Sequence, residues 1–303
     1  MGEKRPRRGE WGKNNGKLVI QDNAQLNASS MRVATWGGGT HGAVEQNGGT
    51  VNLNLTDYAN WWLPALQLGL FGDSQGEYHL NGGILITGSI GGNGNADGQS
   101  SKFYFNGGTL QANGGDGDAA SIKNAWPAMT QDLFMQNLTQ VVVQAGGAKI
   151  NTNGHSITIA PNLEHDPAGG APAIDGGLTK QGAGTLILTG ANTYTGKTRI
   201  EGGMLSISNP YLNDLASVYI SNGAELDLNF ISSDTIGSLY LDGALAPTGT
   251  WGAPGSGAAH IDDIHFSGTG QLNIVPEPST LVLLGVGAIG LLAWAWRRRK
   301  RAG

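Results

Sequence analysis

The chain of 303 residues contains no cysteine. It therefore has no disulfide to staple it and no thiolate to offer a substrate or a metal. Charge is scarce, at 14% of residues, and unevenly placed. Six of the 18 cations stand among the first 17 residues and five more form the cluster Arg297 to Arg301, leaving seven against 21 acids in between. An acidic body repels phosphate backbones, which argues against nucleic acid as a partner. The basic, polar start from Met1 to Gly16 lacks the apolar stretch of a secretory leader. If the chain is exported, the expectation is then a gene start lying further upstream, or another export route. Helical periodicity is also missing through most of the chain.

Glycine, by contrast, is abundant, with 51 residues. Short alternating runs rich in Val, Ile, Leu and Thr recur between Gly and Asn residues, the pattern of strands with sharp corners. The unit reads Asn-Gly-Gly then strand at Asn47–Leu53, Asn81–Ile86 and Asn106–Ala112, with variants beginning at Ala145, Glu201 and Asn222. A short strand precedes most copies, as at Glu77 to Leu80, Lys102 to Phe105 and Val218 to Ile220. Asn and Gly tolerate positive φ and let the chain turn without a Cβ clash. A tight hairpin is the alternative reading of Asn-Gly between strands. Spacing favours stacking: Gly182, Gly202, Gly223 and Gly243 stand 20 or 21 residues apart, a solenoid rung length. The expected fold is all-β, a right-handed parallel β-helix over residues 15–274, with a β-sandwich as runner-up. Residues 15–140 are irregular and 141–274 more regular. Residues 1–14 are expected to be a basic disordered tail, and Asp132 to Leu138 one short helix. Trp61-Trp62-Leu63-Pro64-Ala65-Leu66, between Asp57 and Phe71, is an apolar cluster on a long loop that caps the stack or lines a groove.

The end of the chain has three parts in register. Pro276 and Pro278 hold Glu277 in an extended link, because each lacks an N–H and pushes its predecessor out of the α region. Ser279 to Trp296 carries no charge and, as a helix, spans roughly 27 Å, close to the ~30 Å hydrocarbon layer. Arg297, Arg298, Arg299, Lys300 and Arg301 then stop transfer and keep that end in the cytoplasm. A single transmembrane helix is expected over 279–296, with the body outside. This end, on Val275-Pro276-Glu277-Pro278, the apolar span and the Arg cluster, resembles the PEP-CTERM sorting signal of bacterial exosortase substrates, here 275–303. The resemblance implies an exosortase-type protease as partner, cleavage near Pro-Glu-Pro, and delivery to the cell surface or extracellular matrix. A plain tail anchor is the alternative.

Residues 176–208, with Leu178-Thr179-Lys180-Gln181-Gly182 and Asn192-Thr193-Tyr194-Thr195-Gly196, resemble the autotransporter-associated β-strand repeat. That family's repeat sits in surface passengers built as β-helices. The resemblance implies strands at Thr185–Thr189 and Thr198–Ile200 around a polar turn, in one copy rather than a long array.

Catalysis is expected to be absent, as are a cofactor and a metal. Pectin-cleaving β-helices need converging carboxylates. Asp262-Asp263 is the one Asp pair, on a predicted solvated turn, and a lyase base has only Arg32 and Arg199 to draw on in the body. Gly91 to Asp97 and Gly114 to Asp118 misplace Asp relative to the calcium nonapeptide. His41, His79, His155, His165, His260 and His265 show no ligand spacing on one element. Gly196-Lys197-Thr198 leads into a strand and so is no phosphate loop. Trp61, Trp62, Tyr194 and Trp251 are the candidates for stacking on an extracellular polysaccharide. The leading expectation is a structural or adhesive surface protein. A polysaccharide-binding or polysaccharide-degrading β-helix is the alternative.

Overall fold

The computed structural model describes residues 15–34, 39–54, 64–69, 72–94, 98–114, 116, 133–166, 168 and 170–275. Every regular element among them is a strand. The chain coils through three sides and returns one turn later to pair in parallel with itself. On the first side Asn15–Ile20 pairs with His41–Leu53, which pairs with Gln75–Thr87, then Ser100–Phe105, Gln140–Val143 and Leu163–His165. On the second side the ladder ends with Ala148–Asn151, Leu178–Gln181, Thr198–Ile200, Ser217–Ile220 and Ser238–Leu241. The third side runs from Met31–Val33 through Ser156–Ile159, Thr185–Leu188 and Gly203–Ile207 to Ala224–Leu228 and Phe266–Gly268. This is an all-β, β-helix-like parallel arrangement.

The Asn-Gly-Gly units are the corners between the first and second sides. Two strands, His41–Leu53 and Gln75–Thr87, pass through the corner without a break, where separate short strands were expected. The register shifts around Asn47 instead. Glycine is required there because turns lie directly on one another. Gly83 has φ +71°, and a Cβ on it would strike the Gly49 carbonyl of the turn before. The asparagines bind the same corner along the stack axis. Asn81 Nδ2 donates to Asn47 Oδ1 at 2.8 Å, Asn106 Nδ2 donates to Asn81 Oδ1 at 3.2 Å, and Asn106 Oδ1 accepts the Gly146 N–H at 2.9 Å.

Alternation fills the centre. Val51, Leu85, Leu110, Ile150 and Ile200 point inward in one column of the second side and are fully buried. Tyr78 and Phe103 stack inside the first side with ring centres 5.4 Å apart. Fully burying each such side chain contributes about 1.5–3 kcal/mol. Two antiparallel pairs interrupt the parallel rule, both at the far end. Ala244–Leu245 folds back on Ser238–Leu241, and Gly249–Gly252 lies antiparallel to Gln271–Ile274.

The expected helix at 132–138 is not formed. Met135–Gln136 is a strand of the third side, paired with Ile90–Gly91. Met135 and Phe134 are fully buried there, so the pull of the core overrides local propensity. The tail 1–14, Trp61, Trp62, Pro276, Glu277, Pro278, the apolar span 279–296 and Arg297 to Arg301 lie outside the described residues. Among the described residues no helix is long and apolar enough to cross a membrane.

Candidate functional site

The turns from 178 to 241 are short: side chains at matching positions bond across 20 or 21 residues. A turn this short leaves little chain for the first side. Residues 192–195 and 210–215 cross that side without forming strands, and strand structure resumes only at Ser233–Ile236. The N–H groups of Thr193 and Tyr194 still reach the Leu163 carbonyl at 2.9 and 3.2 Å, but others along this gap need partners outside a ladder, and a buried donor without a partner costs about 1–3 kcal/mol.

Side chains take the place of the ladder. Asn192 Oδ1 accepts the Leu163 N–H at 2.9 Å. The Asp175 carboxylate accepts the N–H groups of Gly177, Thr195 and Gly196 at 2.8, 2.7 and 2.9 Å. Its Oδ2 also meets His165 Nδ1 at 2.9 Å and the Thr195 hydroxyl at 3.1 Å. Asp234 Oδ2 accepts the Leu212 N–H at 3.0 Å. Among the described residues no cation pairs with Asp234, and burial raises its pKa from 3.8 to about 7. At the next corner the orphan groups are carbonyls, and a lysine serves them. Lys180 occupies an inward position beside Ile150 and Ile200 and is 0% exposed. Its Nζ donates to the carbonyls of Gln181, Gly182 and Gly202 at 3.2, 2.7 and 2.9 Å, and burial lowers its pKa to about 8.

Two adjoining hollows open along the gap and share Asn213 and Leu215. One, of about 580 Å³, is lined by Ile174, Asp175, Thr195 and Lys197. The other, of about 640 Å³, is lined by Asn192, Tyr194, Tyr211, Leu212 and Asp214. Tyr194 is not the outward ring the sequence suggested. It is 1% exposed, its hydroxyl bonds Thr198 Oγ1 at 2.8 Å, and it forms the floor of the second hollow. The aromatic at the rim is Tyr211, 46% exposed. Trp251 is half-buried in the closing segment, with its ring 4.6 Å from His260 and its Nε1 donating to the Pro247 carbonyl at 3.0 Å.

The geometry also bears on the chemistry considered from sequence. His165, Asp175 and Thr195 come together, yet acid and hydroxyl both contact Nδ1, at 2.9 and 3.2 Å. A nucleophilic relay needs the two on opposite ring nitrogens. His41, His79 and Lys102 surround Glu77 at 3.8, 3.4 and 3.7 Å. The His79 hydrogen bond leads the forces lowering the Glu77 pKa. Among the described residues no three His, Asp or Glu stand in a metal-holding arrangement. Asp262 is not a free solvated acid. Its carboxylate accepts the N–H groups of Ile264 and His265 and meets His265 Nδ1 at 2.9 Å. Asp116, from the Gly114 to Asp118 loop, accepts the N–H groups of Phe134 and Thr158 at 2.8 and 3.0 Å.

Asp175, Lys180, Asn192, Tyr211 and Asp234 were not singled out from sequence. Lys180 left a signal, a charge two residues after Leu178 on the inward rhythm of a strand. Tyr211 left another, a ring following Pro210 in a turn rather than in a strand. Asp175 and Asp234 left none, since their partners are backbone groups about 20 residues away.

Known proteins share parts of this chain. The adhesin BmaC autotransporter of Brucella suis biovar 1 (strain 1330) is 38% identical over 98 residues, 32% of this chain and 3% of that protein. An extracellular serine protease of Serratia marcescens is 36% identical over 102 residues, 33% of this chain and 9% of that one. The Neisserial autotransporter lipoprotein NalP of Neisseria meningitidis serogroup B is 36% identical over 130 residues, 42% of this chain and 10% of that one. The chain thus spans at most about a tenth of these relatives' length. No solved structure matches. Two family models do match, one over the short turns and one at the end: the chain carries a passenger-associated-transport-repeat at residues 178–207 and a PEP-CTERM protein-sorting motif at residues 275–300.

Proposed function

We propose that this chain is an exported protein of the cell surface or extracellular matrix, with a structural or adhesive role. Its body is a right-handed parallel β-helix. An exosortase-type protease acts at Val275-Pro276-Glu277-Pro278, while a helix over 279–296, backed by Arg297 to Arg301, holds the chain in the membrane during sorting. One observation carries the reading. The sorting motif begins at Val275, directly after the last described strand, Gln271–Ile274, which pairs antiparallel with Gly249–Gly252. Val275 is 46% exposed and its N–H reaches the Ile236 carbonyl at 3.3 Å. The likeness of about a third of the chain to part of an adhesin autotransporter supports an external body. The role is read as non-enzymatic: the carboxylates of Asp175 and Asp234 are engaged by backbone N–H groups.

The test is mass spectrometry of the chain's C-terminus in cells with and without the sorting protease, with fractionation beside it. The expected result is loss of the Arg297 to Gly303 end only where the protease is present, with the body recovered outside. An intact end in both strains overturns sorting, and a soluble cytosolic chain overturns the surface role.

A further inference from the structure

We propose that the hollow between residues 192–194 and 210–215 is a binding subsite for a neutral polysaccharide, with Tyr211 as the ring on which a sugar stacks. The assignment rests on the surface reading above, since such a polymer lies outside the cell.

A sugar-stacking ring must be exposed and must have a free face. The other aromatic rings considered fail one condition or the other. Tyr78 and Tyr194 are buried. Tyr104 lies on His79 at 4.2 Å. Tyr219 is covered by the Arg199 guanidinium at 4.3 Å and by Tyr240 at 4.6 Å. Trp251 lies on His260. Tyr211 is the one aromatic among the exposed large apolar residues described, and among the described residues no ring stacks on it.

The polar groups of the hollow are already oriented. Asn192 is 9% exposed and lines the hollow. Its Oδ1 is fixed by the Leu163 N–H at 2.9 Å. That bond leaves the amide nitrogen as a donor with no partner among the described residues, in a lining that it shares with Tyr211. Asn213 repeats the device: its Oδ1 accepts the Leu215 N–H at 3.0 Å, so its amide nitrogen is left to donate. Asp214, exposed on the rim, offers acceptors to hydroxyl groups. Fixed amide donors and one carboxylate beside a ring match the alternating hydroxyls and flat C–H face of a pyranose. Charge selects within the class. The lining of this hollow contains no cation and one acid, which disfavours a uronate polymer. The volume of about 640 Å³ falls within the roughly 300–1,000 Å³ of small-ligand sites.

The test is affinity electrophoresis of the full chain in mild detergent, through gels carrying hydroxyethylcellulose, laminarin, galactomannan or polygalacturonate. At least one neutral polymer is expected to retard the protein, and polygalacturonate is not. Tyr211→Ala should weaken retardation roughly tenfold, the size of one aromatic contact. Tyr211→Trp should keep it. Unchanged thermal melts of both variants exclude a folding effect. The proposal is overturned if no neutral polymer retards the chain, if Tyr211→Ala binds as the parent does, or if polygalacturonate is preferred. Fractionation separates this failure from failure of the surface reading. A chain found outside that binds no polymer refutes only the subsite, whereas a chain held in the cytosol refutes the surface role whatever the gels show.

Discussion

In the early turns, the corner after Asn47, Asn81 and Asn106 is bound by neutral amides lying one over another. In the turns from 178 to 241, the work passes to charged groups, Asp175 for backbone N–H groups and Lys180 for carbonyls. Turn length accounts for the difference. The early turns bond asparagine to asparagine across 34 and 25 residues, and Asn106 to the Gly146 N–H across 40, so loops leave the corner free to stack regularly. The later turns return after 20 or 21 residues. They lack the chain to build a strand on the first side, and donors that a ladder would have used need stronger acceptors. Hydrogen bonds to charged groups contribute about 1.5–3 kcal/mol against roughly 1 for neutral ones. One region is thus held by a repeated weak bond and the other by single strong hubs.

That contrast predicts unequal sensitivity. Asp175→Ala removes the acceptor of three backbone N–H groups at once. It should cost about 3–5 kcal/mol, read as a lower denaturation midpoint. A loss under 1 kcal/mol would mean that the hub is dispensable. Next in size is Asp234→Asn. Folding raises the pKa of this acid from 3.8 to about 7, so the folded chain holds a proton that the unfolded chain has released. Stability contributed by that proton is complete below about pH 4 and is lost as pH rises to about 7. The amide variant should therefore be more stable than the parent by about 1–3 kcal/mol at pH 8 and no more stable at pH 4. Melting curves at the two pH values decide it, and an equal shift at both would show that the charge is not the cause. The smallest effect belongs to the early corner. Asn81→Ala breaks the middle of the amide row and should cost about 1–2 kcal/mol. If it cost as much as Asp175→Ala, the two regions would not differ in the way described.

Much of the coil was legible. Asn-Gly-Gly marked the first corners, alternation marked the inward residues, and the spacing of Gly182, Gly202, Gly223 and Gly243 marked the short turns. Those are local signals with a local cause. The helix expected at 132–138 failed because Phe134 and Met135 answer to the core of the third side rather than to their neighbours. Tyr194 was misread for a related reason. A ring in a polar turn looks exposed until the turn is laid on its neighbours and Thr198 is found beneath the hydroxyl. The candidate subsite was not legible, because Tyr211, Asn192 and Asp214 become a set only when two successive turns both miss a strand on the same side.

The two reversed strands at the far end carry a consequence for crowding. A stack of parallel strands ends in a bare template on which a neighbouring molecule can zip. Here the terminus adjoining Val275 shows Gly249–Gly252 and Ala244–Leu245 running against the grain. A second molecule arriving in the native direction finds no continuation on those two strands and, among the described residues, meets a parallel edge only at Phe266–Gly268 on the third side. Copies packed shoulder to shoulder would thus meet a template in the native direction on one side of that end instead of three.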